Sequence, residues 1–575
     1  CACGYASGCA CPMRHALSPR MSRALLVLVW LQGAAAAPKP KYVDWTSKAP
    51  KKVELIHPEV SGDTPMDPVV AIRQVFELLT VVVDTVSTKT RRGYLGREAR
   101  VVYGMDEQSA SSALQGHVFL MASMAAATAT DADGRTADNL VREDMEAYAL
   151  ELFEGWRTMC EHSKHQKQTC QIVGSGGKRP FSCGDGWDWT HERFPCLPHR
   201  RWAVSTGPIP ALDTPLDTDS DAAADADAIL AMIVLVVRFE GEDRPWWREV
   251  GQWAYDSCKA FLHYNTEANG AGRDRLVKLG SCRGGWACAN PSYMSPAHHR
   301  AMRNFLVDFS GVFNNEKHQL DGAERDGAEH ARIEASSLAS QFDTVIATSY
   351  KVLQAAQCSA TGLLPNWVVP DPIEPASGAK ISHECREKSP APEFGVEAAK
   401  VAWRVFLDYA WFTEPQAAAT LKPLTLHAAD KLHHVDDRCS EVSCNPEINL
   451  SPGCLVQSVF PSWTEQPFMT APISAAMMVP ALHDDRFQYQ QAGLDLLGRL
   501  LKYQFKMTVD DGFNAAGLAW AAMAALTLST SHMRVEVVPH SRAKVVPRPG
   551  AAPQWKYADA ADRGRADNPV PPAPP

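Results

Sequence analysis

No basic excess, no Cys-x-x-Cys pair and no apolar run of eighteen residues occur in this sequence. The 575-residue chain has a formal net charge of −9, which argues against nucleic acid, because phosphate neutralisation needs clustered Lys and Arg. The missing Cys-x-x-Cys spacing removes the common zinc knuckles. Without an eighteen-residue apolar run, no helix is expected to span a bilayer. Gly174-Ser-Gly-Gly177 has neither the Lys-Ser/Thr of a phosphate loop nor a preceding strand, so a turn is expected. No Gly-x-Ser-x-Gly elbow is present, and no EF-hand spacing. The adjacent pairs His298/His299 and His433/His434 cannot each share one helix face, and only Asp437 follows His433 at i+4, so no metal centre is expected.

What is present is a soluble globular composition, 45% hydrophobic and 21% charged. About three domains or one large one would fit the length. The 16 Trp imply a large core or flat aromatic surfaces for a ring-shaped ligand. Of the 16 Cys, twelve run from Cys160 to Cys454, several close together: Cys160/Cys170, Cys183/Cys196, Cys282/Cys288 and Cys439/Cys444/Cys454. An even number so spaced predicts disulfides and an oxidising compartment. Cys183, in a Gly- and Trp-rich loop, is expected to be bonded rather than nucleophilic. Met21-Ser-Arg23, the apolar run Ala24–Leu31 and the small residues before Pro38 form the pattern of a secretory signal cleaved near Ala36 or Ala37. Residues 1–37 are therefore assigned to an upstream segment and signal, residues 43–535 to one domain, and the Pro/Ala-rich 540–575 to a disordered tail.

From about Asp67 to residue 530 the apolar spacing is helical, beginning with Val69, Ile72, Val75, Phe76 and Leu79. Further helices are expected near 112–127, 140–159, 222–239, 246–264, 294–313, 330–357, 395–412, 415–433, 470–482, 486–505 and 513–530, with almost no strand pattern. No period of 30–45 residues marks a solenoid. About twelve helices without a repeat leave a bundle array or a closed ring of helical hairpins.

Carboxylates concentrate between Asp213 and Asp227, just ahead of the wholly apolar Ala228–Val237. A helix apolar all round is buried. Acidic groups at its start would cap it and meet the positive end of its dipole. They could also be aimed into a cleft, where surroundings tune their pKa.

Ala223-Ala-Asp225-Ala-Asp227-Ala-Ile-Leu-Ala231 resembles the Ala-Ser/Thr-Asp-Ala/Gly-Asp-x-x-Ile/Met-Ala signature of glycoside hydrolase family 8. Asn290-Pro-Ser-Tyr293-Met-Ser-Pro296 is similar to that family's Asn-Pro-Ser-Tyr-x-x-Pro. Gly362-Leu-Leu-Pro-Asn366-Trp367 is similar to its Gly-Leu-x-Pro-Asp-Trp, with Asn for Asp. Phe394-Gly-Val-Glu397-Ala-Ala-Lys400-Val-Ala-Trp403-Arg404, followed by Asp408-Tyr-Ala-Trp411, resembles Phe-Gly-Tyr-Asp-Ala-x-Arg-x-x-Trp-Arg and Asp-Tyr-x-Trp. The resemblance runs over roughly residues 60–530 in the family's order. It implies an all-α fold, an (α/α)6 barrel with long loops, in which 160–205, 314–345 and 415–465 are insertions.

The activity so implied is hydrolysis of a β-1,4-linked polysaccharide, cellulose-like glucan or chitosan, with inversion. Inversion needs an acid for the leaving oxygen and a carboxylate for water, roughly 6.5–9.5 Å apart. By position, Glu397 is the base in place of the family's Asp, and Asp225 orients the sugar. Lys400, which replaces an Arg, is expected to bind substrate together with Tyr293, Trp367, Trp403 and Arg404. Asp225 and Glu397 should converge at the mouth of the ring. The family's acidic Glu falls on Ala113, so the donor is sought in Glu107, then Asp106, Glu98 or His117. No metal or cofactor is implied. The expected partner is polysaccharide, without nucleic acid or membrane after signal cleavage, and the expected protein is a secreted monomer. A glycan-binding relative without catalysis, or an interaction scaffold whose cleft is filled, are the rival readings.

Overall fold

Ser112–Thr128 (α1) and Ala222–Arg238 (α3) form the apolar heart of the molecule, and Gly116 explains how closely they meet. A Cβ at Gly116 would stand 2.5 Å from the carbonyl oxygen of Ala224, so only glycine lets the two backbones touch. Asp221 starts α3 by accepting from the N–H groups of Ala223 and Ala224 at 3.1 and 3.2 Å, and Arg238 closes it at the negative end of the dipole.

The computed structural model describes residues 90–92, 99–103, 109–128, 142–164, 169–171, 178–180, 197–203, 214–216, 219–313 apart from 270–272, 282 and 287, 324–370 apart from 360, 373–375, 393–432, 448–449 and 467–477. All belong to one unit, Trp45–Pro575. The remaining helices are Arg142–Lys164 (α2), Trp247–Tyr264 (α4), Pro296–Asp308 (α5), Ser310–Phe313 (α6), Glu324–Ala356 (α7), Val396–Phe412 (α8), Pro415–Leu432 (α9) and Pro467–Met477 (α10). Helices α1, α3, α5, α8 and α10 pack side by side in that order and are almost wholly buried. Helices α2, α4, α7 and α9 each lie against the preceding member of that inner row. Alternation of inner and outer helices is the (α/α)6 barrel arrangement, and the chain has that all-α fold. The expected signal, tail, first helix and helices at 486–505 and 513–530 lie outside the described residues, as do His433, His434, Asp437, Cys183 and the Gly174–Gly177 turn.

Two expectations need correction. The stretches 314–345 and 415–465 are not simply insertions, because α7 and α9 are outer helices of the ring. The expected scarcity of strands missed a five-stranded antiparallel sheet built from Thr90–Arg92, Ala99–Tyr103, Ser109–Ser111, Arg201–Ala203 and Thr214–Pro215. Strands of two to five residues are too short for period-two patterning to register. Among the described residues no helix is long and apolar enough to cross a membrane. Cys258 is a buried free thiol, whereas Cys288 and Cys358 are disulfide-bonded.

Gly362 has φ +69°, and a Cβ there would lie 2.0 Å from the backbone nitrogen of Leu424 in α9. The neighbouring Pro423 already denies α9 one hydrogen bond. Gln357 stitches the contact by donating to the carbonyls of Gly362 and Thr420. Gly362→Ala should therefore cost about 2 kcal/mol or more, from left-handed strain plus overpacking, read as a lower urea midpoint.

Candidate active site

Glu397 sits in the first turn of α8. The capping side chain comes from elsewhere: Asn366 Oδ1 accepts from the N–H groups of Gly395 and Ala398, both at 3.0 Å. The Asn that replaces the family's Asp thus serves as a helix cap. The Glu397 side chain is 33% exposed. Its Oε2 accepts from Asn290 Nδ2 at 3.1 Å and from Ser292 Oγ at 3.5 Å. Lys400, one turn on, donates to both carboxylate oxygens at 3.2 Å. Asn290 is itself fixed, since its Oδ1 accepts from Ser292 N–H at 2.8 Å and caps the short turn Pro291–Tyr293.

That turn delivers Tyr293, whose hydroxyl donates to Asp221 Oδ2 at 3.2 Å. Burial, then the negative charges of Asp221 and Glu397, push the phenol well above its ordinary value, so it stays a donor. Asp221, which starts α3, thus holds the tyrosine hydroxyl in place. Trp367 packs with Tyr293 against Leu279 and Cys288 and is partly exposed.

Asp225 does not reach this surface. It is 0% exposed, and its Oδ2 accepts from Asn265 Nδ2 at 2.7 Å. Burial pushes its carboxyl well above the usual range. Asp225, expected beside Glu397 at the mouth of the ring, is thus sealed in the core. Asp221 and Asp225 are four residues apart on one helix face, so spacing alone could not rank them; the cap geometry does.

Two further expected substrate contacts are internal. Trp403 is fully buried, its ring edge-on to His298 at 5.8 Å. Arg404 is also buried and donates from Nη2 to both oxygens of Asp227 at 3.1 and 3.0 Å. Its Nη1 donates to the Ser292 carbonyl at 2.7 Å and to Ser295 Oγ at 3.0 Å. His298 Nε2 and His117 Nδ1 complete the shell of Asp227 at 3.0 and 3.2 Å. Burial opposes ionisation of Asp227, but Arg404 and the two histidines outweigh it and hold the carboxyl well below its usual range. Burial lowers the pKa of His117, which makes it a poor proton donor near neutrality. Ala113 is exposed and offers no acid, and Glu107, Glu98 and Asp106 lie outside the described residues.

Beside Asp221, the carboxylate of Asp219 pairs with Arg283, which the sequence reading overlooked because it stands in a Gly/Cys loop without a motif. His299 lies between Phe261 and Phe342 rather than on a ligand. Among the described residues no group of three or more His, Cys, Asp or Glu side chains is arranged to hold a metal.

No family model and no curated protein sequence matches the chain. Among solved structures it is similar to an apo β-1,3-1,4-glucanase from Paenibacillus sp. X4, with 14% identity and a TM-score of 0.49 over 81% of this chain and 95% of that one. It is similar to Rex8A from Paenibacillus barcinonensis complexed with xylose, at 13% identity and a TM-score of 0.44 over 80% and 94%. A reducing-end-xylose releasing exo-oligoxylanase is similar at 14% identity and a TM-score of 0.45 over 82% and 95%.

Proposed function

We propose that this chain is a secreted glycoside hydrolase that cleaves a β-1,4-linked glycan with inversion. Glu397 is the base that activates water, and Tyr293, held in place by Asp221, positions the sugar at the cleavage point, the part first given to Asp225. The observation that carries this reading is one partly exposed carboxylate in the first turn of a helix, braced by Asn290, Ser292 and Lys400. An inverting site needs such a carboxylate to activate water, with an acid roughly 6.5–9.5 Å away. Glu107 remains the candidate donor. Disulfide bonding at Cys288 and Cys358 supports an oxidising compartment.

The exposed Ala113 favours one rival, a glycan-binding protein on the same fold. Incubation with soluble β-1,4-glucan separates the two. Hydrolysis releases reducing ends whose first-formed anomer is inverted by NMR; binding without release identifies the rival.

Two aspartates distinguish site from core. Asp221→Asn should lower kcat/KM about 100-fold, because the charge that fixes the Tyr293 hydroxyl is lost. Asp225→Asn should leave kcat/KM unchanged and improve stability. The sign follows from the raised carboxyl: its favourable term is full below the unfolded value of about 3.9 and is lost as pH climbs toward the folded value. The melting temperature of Asp225→Asn relative to the parent should therefore rise from pH 4 to neutrality, by roughly a few degrees.

A further inference from the structure

We infer that the cleft takes a glycan bearing oxygen acceptors only, neutral or carboxylate-substituted, and rejects a polycationic aminoglycan. This inference rests on the glycosidase reading and selects its substrate class. An ammonium-bearing sugar needs carboxylates with free capacity beside the cleavage point, and the described carboxylates there are already engaged. Glu397 holds Lys400, Asp219 holds Arg283, and Asp227 holds Arg404. Asp221 is spent on the start of α3 and on Tyr293, and Asp225 is sealed in the core. Glu267 is exposed, but it acts on Lys278 and accepts from the Trp286 N–H; it is not among the charges that act on Tyr293.

Donor capacity, by contrast, is unspent. Arg283 uses Nε on Asp219, and its two terminal amino groups meet no acceptor among the described residues. Its side chain is 29% exposed and its charge acts on Tyr293. Lys400, 22% exposed, keeps a third proton after serving the two oxygens of Glu397. Lys278, the other nearby cation, is consumed by the carbonyls of Tyr264 and Ser281. A guanidinium with its fork open suits paired oxygens, either vicinal hydroxyls or a carboxylate, and repels an ammonium.

The test is equilibrium binding of the intact protein, carrying Glu397→Gln to prevent turnover, in mildly acidic buffer at low salt. The probes are hydroxyethyl cellulose (neutral), carboxymethyl cellulose (anionic) and chitosan (cationic). Expected is binding to both celluloses, with the anionic polymer at least as tight, and chitosan at least tenfold weaker. Arg283→Gln in the same background should weaken carboxymethyl cellulose about tenfold and hydroxyethyl cellulose less, with circular dichroism confirming that the variant is folded at the assay temperature although Asp219 loses its charge partner. Chitosan bound as tightly as cellulose, or a polymer preference unmoved by Arg283→Gln, overturns the inference and leaves the glycosidase reading standing. Failure to bind any of the three overturns both.

Discussion

Glu397→Gln is expected to lower kcat by about 10²–10⁴-fold, the usual contribution of a general base. The amide preserves the side chain's size and can still accept from Asn290 and Ser292, so the loss isolates proton acceptance. The fold should survive, because the pair with Lys400 is partly exposed and such pairs contribute about 0–1 kcal/mol. Circular dichroism and glycan affinity should thus remain near the parent values while product release disappears. Glu397→Asp draws the carboxylate back by one methylene, out of reach of Asn290, and should fall between the two. Full turnover by Glu397→Gln would remove the base assignment.

Arg404→Met is expected to give the largest loss of stability. It leaves Asp227 ionised in the core with only His117 and His298 as partners. Removing one partner of a buried pair typically costs about 3–5 kcal/mol. The histidines offer partial compensation by taking up a proton. Burial and the Arg404 charge hold both histidines low in the parent; removing Arg404 lifts them relative to it, so the help of a bound proton fades as pH rises. The urea midpoint of Arg404→Met should accordingly fall from pH 6 to pH 8 more steeply than that of the parent. Adding Asp227→Asn to Arg404→Met should recover much of the loss, which a double-mutant cycle measures.

These predictions mark what the sequence could disclose. Helix positions were legible because apolar spacing over ten or more residues is strong, and the starts of α3 and α8 fall within a residue of expectation. On α8 the spacing Glu397, Lys400, Arg404 placed three polar side chains on one face. Depth along the axis is not encoded in spacing, and so Arg404 was taken for a surface residue although two turns separate it from the rim. Trp403 was misplaced for a related reason: an aromatic in a sugar-enzyme motif reads equally well as wall or as core. Asp221 was read as a cap, which it is; its second oxygen turns the same residue toward Tyr293. Asn366 shows the converse, a motif position whose side chain holds backbone instead of ligand.

The polar thread from Asp227 through Arg404 and the Ser292 carbonyl to the turn that braces Glu397 joins three hairpins widely separated along the chain. No single hairpin carries enough of it to align Glu397. On the proposed function, partly assembled forms should therefore be chemically silent, with turnover expected only after α8 has docked.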